Sequence, residues 1–143
     1  MKRIGFITSG GDAPGMNACI RAITKYCLNN DIVPVGYHEG YQGVIDNRFA
    51  ELSFADVDNI VQQGGTILGT YRCNQFKTES GFKKAIENLK ENRIDGFICI
   101  GGDGTFKGAS LLSRALDIPV IGIPGTIDND ISGTDHTIGY DTA

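Results

Sequence analysis

The sequence is short of the features that would assign it to several common classes. Its longest apolar runs fall far below the ~20 residues that a membrane-spanning helix needs. The basic start, 1–3, leads into an apolar run too short for a signal peptide and then into a Gly-rich turn, so a cytoplasmic protein is expected. Basic residues never cluster beyond a dipeptide and the net charge is −4. A phosphate backbone demands a concentrated cationic face, so nucleic acid is not the expected partner. Four cysteines, Cys19, Cys27, Cys73 and Cys99, show no CxxC spacing, and only His38 and His136 are available beside them. A zinc site is not expected, and free thiols are the plain reading.

Glycine is what the chain has in excess: 20 of its 143 residues, about twice the usual share of roughly 7%. The glycines concentrate at a few places and so mark special loops, not low complexity. The length suits one domain with a sizeable core.

Apolar patterning predicts a buried strand over 2–8, a turn over 9–15 and a helix over 16–29 with Cys19, Ile20, Ile23 and Cys27 at helical spacing. A second strand is expected over 32–37. Ser53-Phe54-Ala55-Asp56 resembles a capping box, and the helix it opens is expected to reach Gly64-Gly65. Further elements are a helix over 79–92, a strand over 95–100, a helix from about 106 to 116 and a strand over 119–123. Alternating strands and helices give an α/β fold: a three-layer, Rossmann-like domain with a mostly parallel sheet flanked by helices.

Three of these strands end in loops rich in Gly and Asp: 9–15, 101–105 and 124–130. Ligands of open α/β sheets sit outside the carboxyl ends of the strands, so neighbouring strand ends would bring the loops to one cleft. Glycines let backbone N–H groups approach phosphate oxygens, and the following helix presents its positive end. Neither of the first two loops matches GxxxxGK[ST], which excludes a P-loop ATPase. Taken alone, a Gly-Gly-Asp turn is as readily a plain tight turn.

Asp103 follows a strand between glycines. It suits a Mg²⁺ that bridges nucleotide phosphates, or it caps the next helix, a role for which Thr105 is the better candidate. The third loop carries Asp128 and Asp130 with Thr126 and Asn129. Alternate residues of an extended segment point the same way, so both acids would face the cleft, and an Asp serves as the base for phosphoryl transfer to an alcohol. A solvated acidic turn is the alternative. The segment 64–72, GGTILGTYR, puts Arg72 on a loop. There it would stabilise charge on a transferred phosphoryl group or be an ordinary surface arginine.

SGGDAPGMN at 9–17, GGTILGTYR at 64–72, GGDGTFKG at 101–108 and PGTIDNDISGTDHTIGYDTA at 124–143 together resemble bacterial ATP-dependent 6-phosphofructokinase, in order and at suitable spacing. GGDGT alone would fit NAD or lipid kinases, and PGTIDND and SGGDAPGMN make the likeness specific. The resemblance implies transfer of the ATP γ-phosphoryl group to the 1-hydroxyl of fructose 6-phosphate. It implies ATP contacts at Gly11, Arg72, Cys73, Gly102, Asp103, Gly104 and Thr105, with Gly108 nearby, and Mg²⁺ on Asp103. Thr126, Ile127 and Asp128 would face the sugar phosphate, with Asp128 as base, Asp130 supporting it and Arg72 stabilising the transition state.

Pyrophosphate-using relatives carry Asp and Lys where this chain has Gly104 and Gly125, so the likeness implies ATP as donor. Arg21 matches a basic residue of the family's subunit-interface site for ADP or phosphoenolpyruvate. Lys25 stands one helical turn on where Arg is usual, and Phe54 replaces another Arg. Effector binding and a solvated helix face are equal readings of that pair. Family subunits are homotetrameric and about twice this length. Residues 1–143 therefore correspond to the amino-terminal ATP-binding domain without the carboxyl-terminal half, and the piece alone is expected to be inactive. A nucleotide-binding module without chemistry is the rival reading.

Overall fold

In the computed structural model the described residues are 1–10 and 15–125. They form a five-stranded sheet in the order β3-β2-β1-β4-β5, built from β1 (Arg3–Thr8), β2 (Val33–Tyr37), β3 (Phe49–Glu51), β4 (Gly96–Gly101) and β5 (Val120–Pro124). Every neighbouring pair is parallel except β2–β3 at one edge. Five α-helices connect the strands: α1 (Met16–Asn29), α2 (Tyr41–Asp46), α3 (Phe54–Val57), α4 (Glu79–Glu91) and α5 (Asp103–Ala115).

Period-two alternation in the strands divides the core into two layers. Phe6 and Ile100 point to the face covered by α1 and α3, where Met16, Ile20, Ile23, Cys27 and Val57 pack. Ile7 and Cys99 point the other way, against Tyr41, Val44, Leu89, Ala109 and Leu112 of α2, α4 and α5. The predicted α/β class with a mostly parallel sheet is the observed one. At the amino-terminal edge of the sheet, the Asp95 carboxylate accepts from Lys2 N at 2.9 Å and Arg3 N at 3.0 Å. Those two backbone hydrogen bonds hold its carboxyl below the ordinary aspartate range.

Four elements differ from the expectation. The Ser53 capping box is present, with Asp56 accepting from Ser53 N at 2.8 Å, but α3 stops at Val57. Asp58 is extended and Asn59 left-handed (φ 64°), so the chain turns into a short 3-10 stretch at Ile60–Gln62 and does not carry one helix to Gly64. Helix α5 begins at Asp103, three residues early, because Gly102 is already extended and ends the strand. The pair α2 and β3 lies where only a loop was expected. No helix among the described residues is long and apolar enough to cross a membrane.

Candidate functional site

Strand β1 has β2 on one side and β4 on the other. The chain first winds away to β2 and then crosses back over to β4, so the carboxyl ends of β1 and β4 flank the topological switch point, where open α/β sheets hold ligands. Ser9 N donates to Ile100 O at 2.9 Å, which starts the 9–15 segment beside the end of β4. Gly10 is left-handed (φ 82°), a conformation glycine adopts without strain. A Cβ on Gly101 would lie 2.6 Å from Ser9 O and would overlap Thr105 Oγ1, so the two loops close on a bare backbone there. Gly125 N donates to Gly101 O at 2.8 Å. The three glycine-rich segments thus take off from adjoining points. Gly11 of the first loop lies outside the described residues, as do Thr126, Ile127, Asp128, Asn129 and Asp130 of the third.

Helix α5 carries the second loop's chemistry. Its N-cap, Gly102, offers no side-chain hydrogen bond, so the first-turn N–H groups have no side chain closing over them. Thr105 is not that cap. It lies in the third position of the helix, 4% exposed, with its hydroxyl turned back toward Gly101 and Gly10. The bare Cα at Gly101 provides the room that draws it inward. Asp103, at the first position, is exposed and pairs loosely with Lys107 Nζ at 3.4 Å. An exposed pair of this kind is worth little and yields easily to another cation. A Cβ on Gly104 would meet nothing within 4 Å, leaving space beside Asp103. Gly108 differs: a Cβ there would lie 2.7 to 2.9 Å from the ring and hydroxyl of Tyr41.

Among the described residues no three His, Cys, Asp or Glu side chains form a self-sufficient metal cluster. A hard, accessible carboxylate at a helix start does suit Mg²⁺, which keeps several waters and takes one or two protein carboxylates plus phosphate oxygens. Asp103 meets that requirement.

Arg72 and Cys73 lie beside α2. Arg72 borders a cavity of about 440 Å³ with Glu39, Gln42 and Asp46. Both acids are already engaged by Arg48, at 3.0 and 3.6 Å, and Arg72 itself forms no ion pair among the described residues. The Cys73 thiol donates to Gln42 Oε1 at 3.3 Å, and burial pushes its pKa up, so it stays neutral at pH 7.

Adjacent residues of α2 connect this cavity with α5, since Gln42 faces the cavity while Tyr41 reaches α5. The Tyr41 hydroxyl donates to Thr105 O at 2.6 Å, and its ring stacks on Phe76 at 4.1 Å between centroids. Burial also raises the Tyr41 hydroxyl and drives the neighbouring Cys99 thiol up to about 12. Arg21 and Lys25 sit half-buried, one turn apart on α1, with Phe54 46% exposed at the start of α3.

Sequence reasoning passed over Tyr41, Gln42, Thr8 and Asn17. Asn17 closes the 9–17 motif, and Thr8 is a polar residue ending an apolar strand. Both signals were visible, but neither names a partner.

Comparison with known proteins shows the family. The phosphofructokinase family model matches residues 3–143. ATP-dependent 6-phosphofructokinases of Halothermothrix orenii and Finegoldia magna are 52% and 53% identical over the whole chain, which covers 43% and 44% of their lengths. The chain thus spans less than half the length of these curated relatives. A crystal structure of Pichia pastoris phosphofructokinase in the T-state superimposes with a TM-score of 0.92 at 38% identity, over 97% of this chain and 17% of that one. Matched along nearly its full length in sequence and in fold, the chain belongs to the phosphofructokinase family.

Proposed function

We propose that residues 1–143 are the amino-terminal, ATP-binding part of an ATP-dependent 6-phosphofructokinase, whose carboxyl-terminal half completes the sugar site. The observation that carries this reading is the common take-off of the three glycine-rich loops at the switch point, beside an accessible Asp103 and an open Gly104. A triphosphate fits such a crevice, because backbone N–H groups and a helix start meet its charge without side chains in the way.

In this reading the nucleophile is the 1-hydroxyl of fructose 6-phosphate. Its oxygen bonds to the γ-phosphorus of ATP as the bond to the β–γ bridging oxygen breaks. The hydroxyl proton passes to Asp128, and ADP leaves with the electron pair. Thr126 and Ile127 hold the acceptor and Asp130 supports Asp128. Gly11, Gly102, Gly104 and Thr105 line the phosphates with their backbone, and Cys73 and Gly108 border the nucleotide. Asp103 would hold Mg²⁺, which screens the phosphate charge when bound. Arg72 stabilises charge on the group in transit, consistent with its lack of an ion pair among the described residues. Gly104 and Gly125 favour ATP over pyrophosphate, since a carboxylate at 104 would fill space that the α-phosphate needs.

The same reading makes the full-length protein a cytoplasmic homotetramer serving glycolysis. Arg21 and Lys25 would meet ADP or phosphoenolpyruvate at a subunit interface, and residues 1–143 alone would be inactive.

The test is turnover by the full-length protein. ADP release should require fructose 6-phosphate and Mg²⁺. Asp128→Ala should lower kcat by about three orders of magnitude while ATP still binds by calorimetry. Unchanged turnover in that variant would remove the assigned base.

A further inference from the structure

We propose that Thr8 and Asn17 are positioning residues that clasp the 63–69 segment and thereby aim Arg72, three residues beyond Gly69. This rests on the reading of Arg72 given above.

Between the 3-10 stretches at Ile60–Gln62 and Gln75–Lys77 the chain has no helix or strand to shape it. Its conformation comes from outside contacts. Thr8, the last residue of β1, is fully buried, and Asn17, in the first turn of α1, is 2% exposed. Buried polar groups need partners, and both side chains spend their hydrogen-bonding capacity on this one segment. Asn17 Oδ1 accepts from Ile67 N at 2.7 Å, and its Nδ2 donates to Gln63 O at 3.3 Å. Thr8 Oγ1 donates to Gly69 O at 3.0 Å and lies 2.9 Å from Thr66 Oγ1.

A hydroxyl has one proton, so these distances set a direction. With the Thr8 proton on Gly69 O, Thr66 donates to Thr8 and in turn accepts from Leu68 N at 3.2 Å. The relay runs Leu68 N–H, Thr66 hydroxyl, Thr8 hydroxyl, Gly69 carbonyl. It locks the turn whose exit is Gly69, left-handed at φ 76°. Two further contacts hold the same turn: Glu39 N donates to Leu68 O at 2.8 Å, and the Leu68 side chain fills the space over Gly36.

Thr8 and Asn17 also bracket the 9–15 segment in sequence. One pair of side chains therefore ties the phosphate-side turn to the arginine loop, and misplacing either end moves the arginine relative to the crevice. Displacements of about 1 Å in such a group cost up to about a hundredfold in rate.

The experiment uses the full-length protein. Thr8→Val keeps the shape and removes the relay, and kcat should fall between about tenfold and a hundredfold, by more than KM for ATP rises. Thr8→Ser retains a hydroxyl and should recover most of the rate. In an Arg72→Ala background the further loss from Thr8→Val should vanish, because both act through one group. Trypsin should cut after Arg72 faster in Thr8→Val than in the parent. Thr66→Ala, at a half-buried loop position, breaks the same relay and serves if Thr8→Val does not fold.

Unchanged kcat and unchanged trypsin cleavage in a folded relay variant overturn the clasp. So does a Thr8→Val loss that adds in full to that of Arg72→Ala. If Arg72→Ala alone leaves kcat intact, the role given to Arg72 fails, and the trypsin rate still decides whether the clasp orders the loop.

Discussion

Within one motif, 101–108, Gly104 is a glycine for the opposite reason from Gly101 and Gly108. At Gly104 a side chain would enter open space, whereas at Gly101 and Gly108 it would collide with backbone or with an aromatic ring. Gly104 leaves the space beside Asp103 open, where the proposed nucleotide would lie. The other two let parts of the protein approach each other: Gly101 joins two loops at the switch point, and Gly108 seats α5 on Tyr41. A glycine-rich signature is therefore a mixture of ligand space and packing space, and substitution separates the two. Gly101→Ala should be the most damaging change. Its Cβ meets the Ser9 carbonyl at 2.6 Å, a backbone atom that moves only with its loop. A loss of about 3 kcal/mol is expected in urea unfolding of the full-length protein, with activity falling alongside.

Gly108→Ala comes next. The obstacle is a side chain, but Tyr41 is held by its stack on Phe76 and its bond to Thr105 O, so it gives way poorly. About 1 to 3 kcal/mol of destabilisation is expected. Combining Gly108→Ala with Tyr41→Leu, which removes the ring, should cost less than the two single changes added together, as measured by a double-mutant cycle in urea. Strict additivity would mean that Gly108 is required for something other than Tyr41.

Much of this arrangement was legible in the sequence because its cues are local. Short apolar runs gave β1, β2, β4 and β5, the 3.6 spacing gave α1 and α4, and glycine-rich strand ends gave the adjoining loop starts. Elements shorter than two helical turns left no pattern: α2 has six residues and β3 three, and both were missed. The overlong third helix and the misplaced cap have a common cause. Each was decided by a backbone conformation or a contact that residue type does not announce, Asn59 turning left-handed in one case and Thr105 folding back toward Gly101 in the other. The positioning residues were out of reach for the same reason. Thr8 meets Thr66, Asn17 meets Ile67 and Tyr41 meets Thr105 across 58, 50 and 64 residues. A single sequence announces a buried polar side chain but not where its hydrogen bond goes.

Gly104 gives the smallest effect on folding and so the sharpest contrast with its neighbours. Gly104→Ala places a methyl in open space within the first turn of α5, where alanine is the better helix former, so stability should stay level or rise by up to about 1 kcal/mol. Gly104→Asp should also fold normally, since an acidic residue in a helix's first turn is favoured by the dipole. What it should alter is the donor: KM for ATP should rise by about tenfold or more, from a carboxylate held against the phosphates, while unfolding in urea is unchanged. Thermal or urea unfolding and ATP kinetics on the same two variants separate the possibilities. If Gly104→Asp binds ATP as the parent does, the space beside Asp103 is not where the nucleotide lies. If Gly104→Ala unfolds as early as Gly108→Ala, the two glycines serve the same purpose and the contrast drawn between them is wrong.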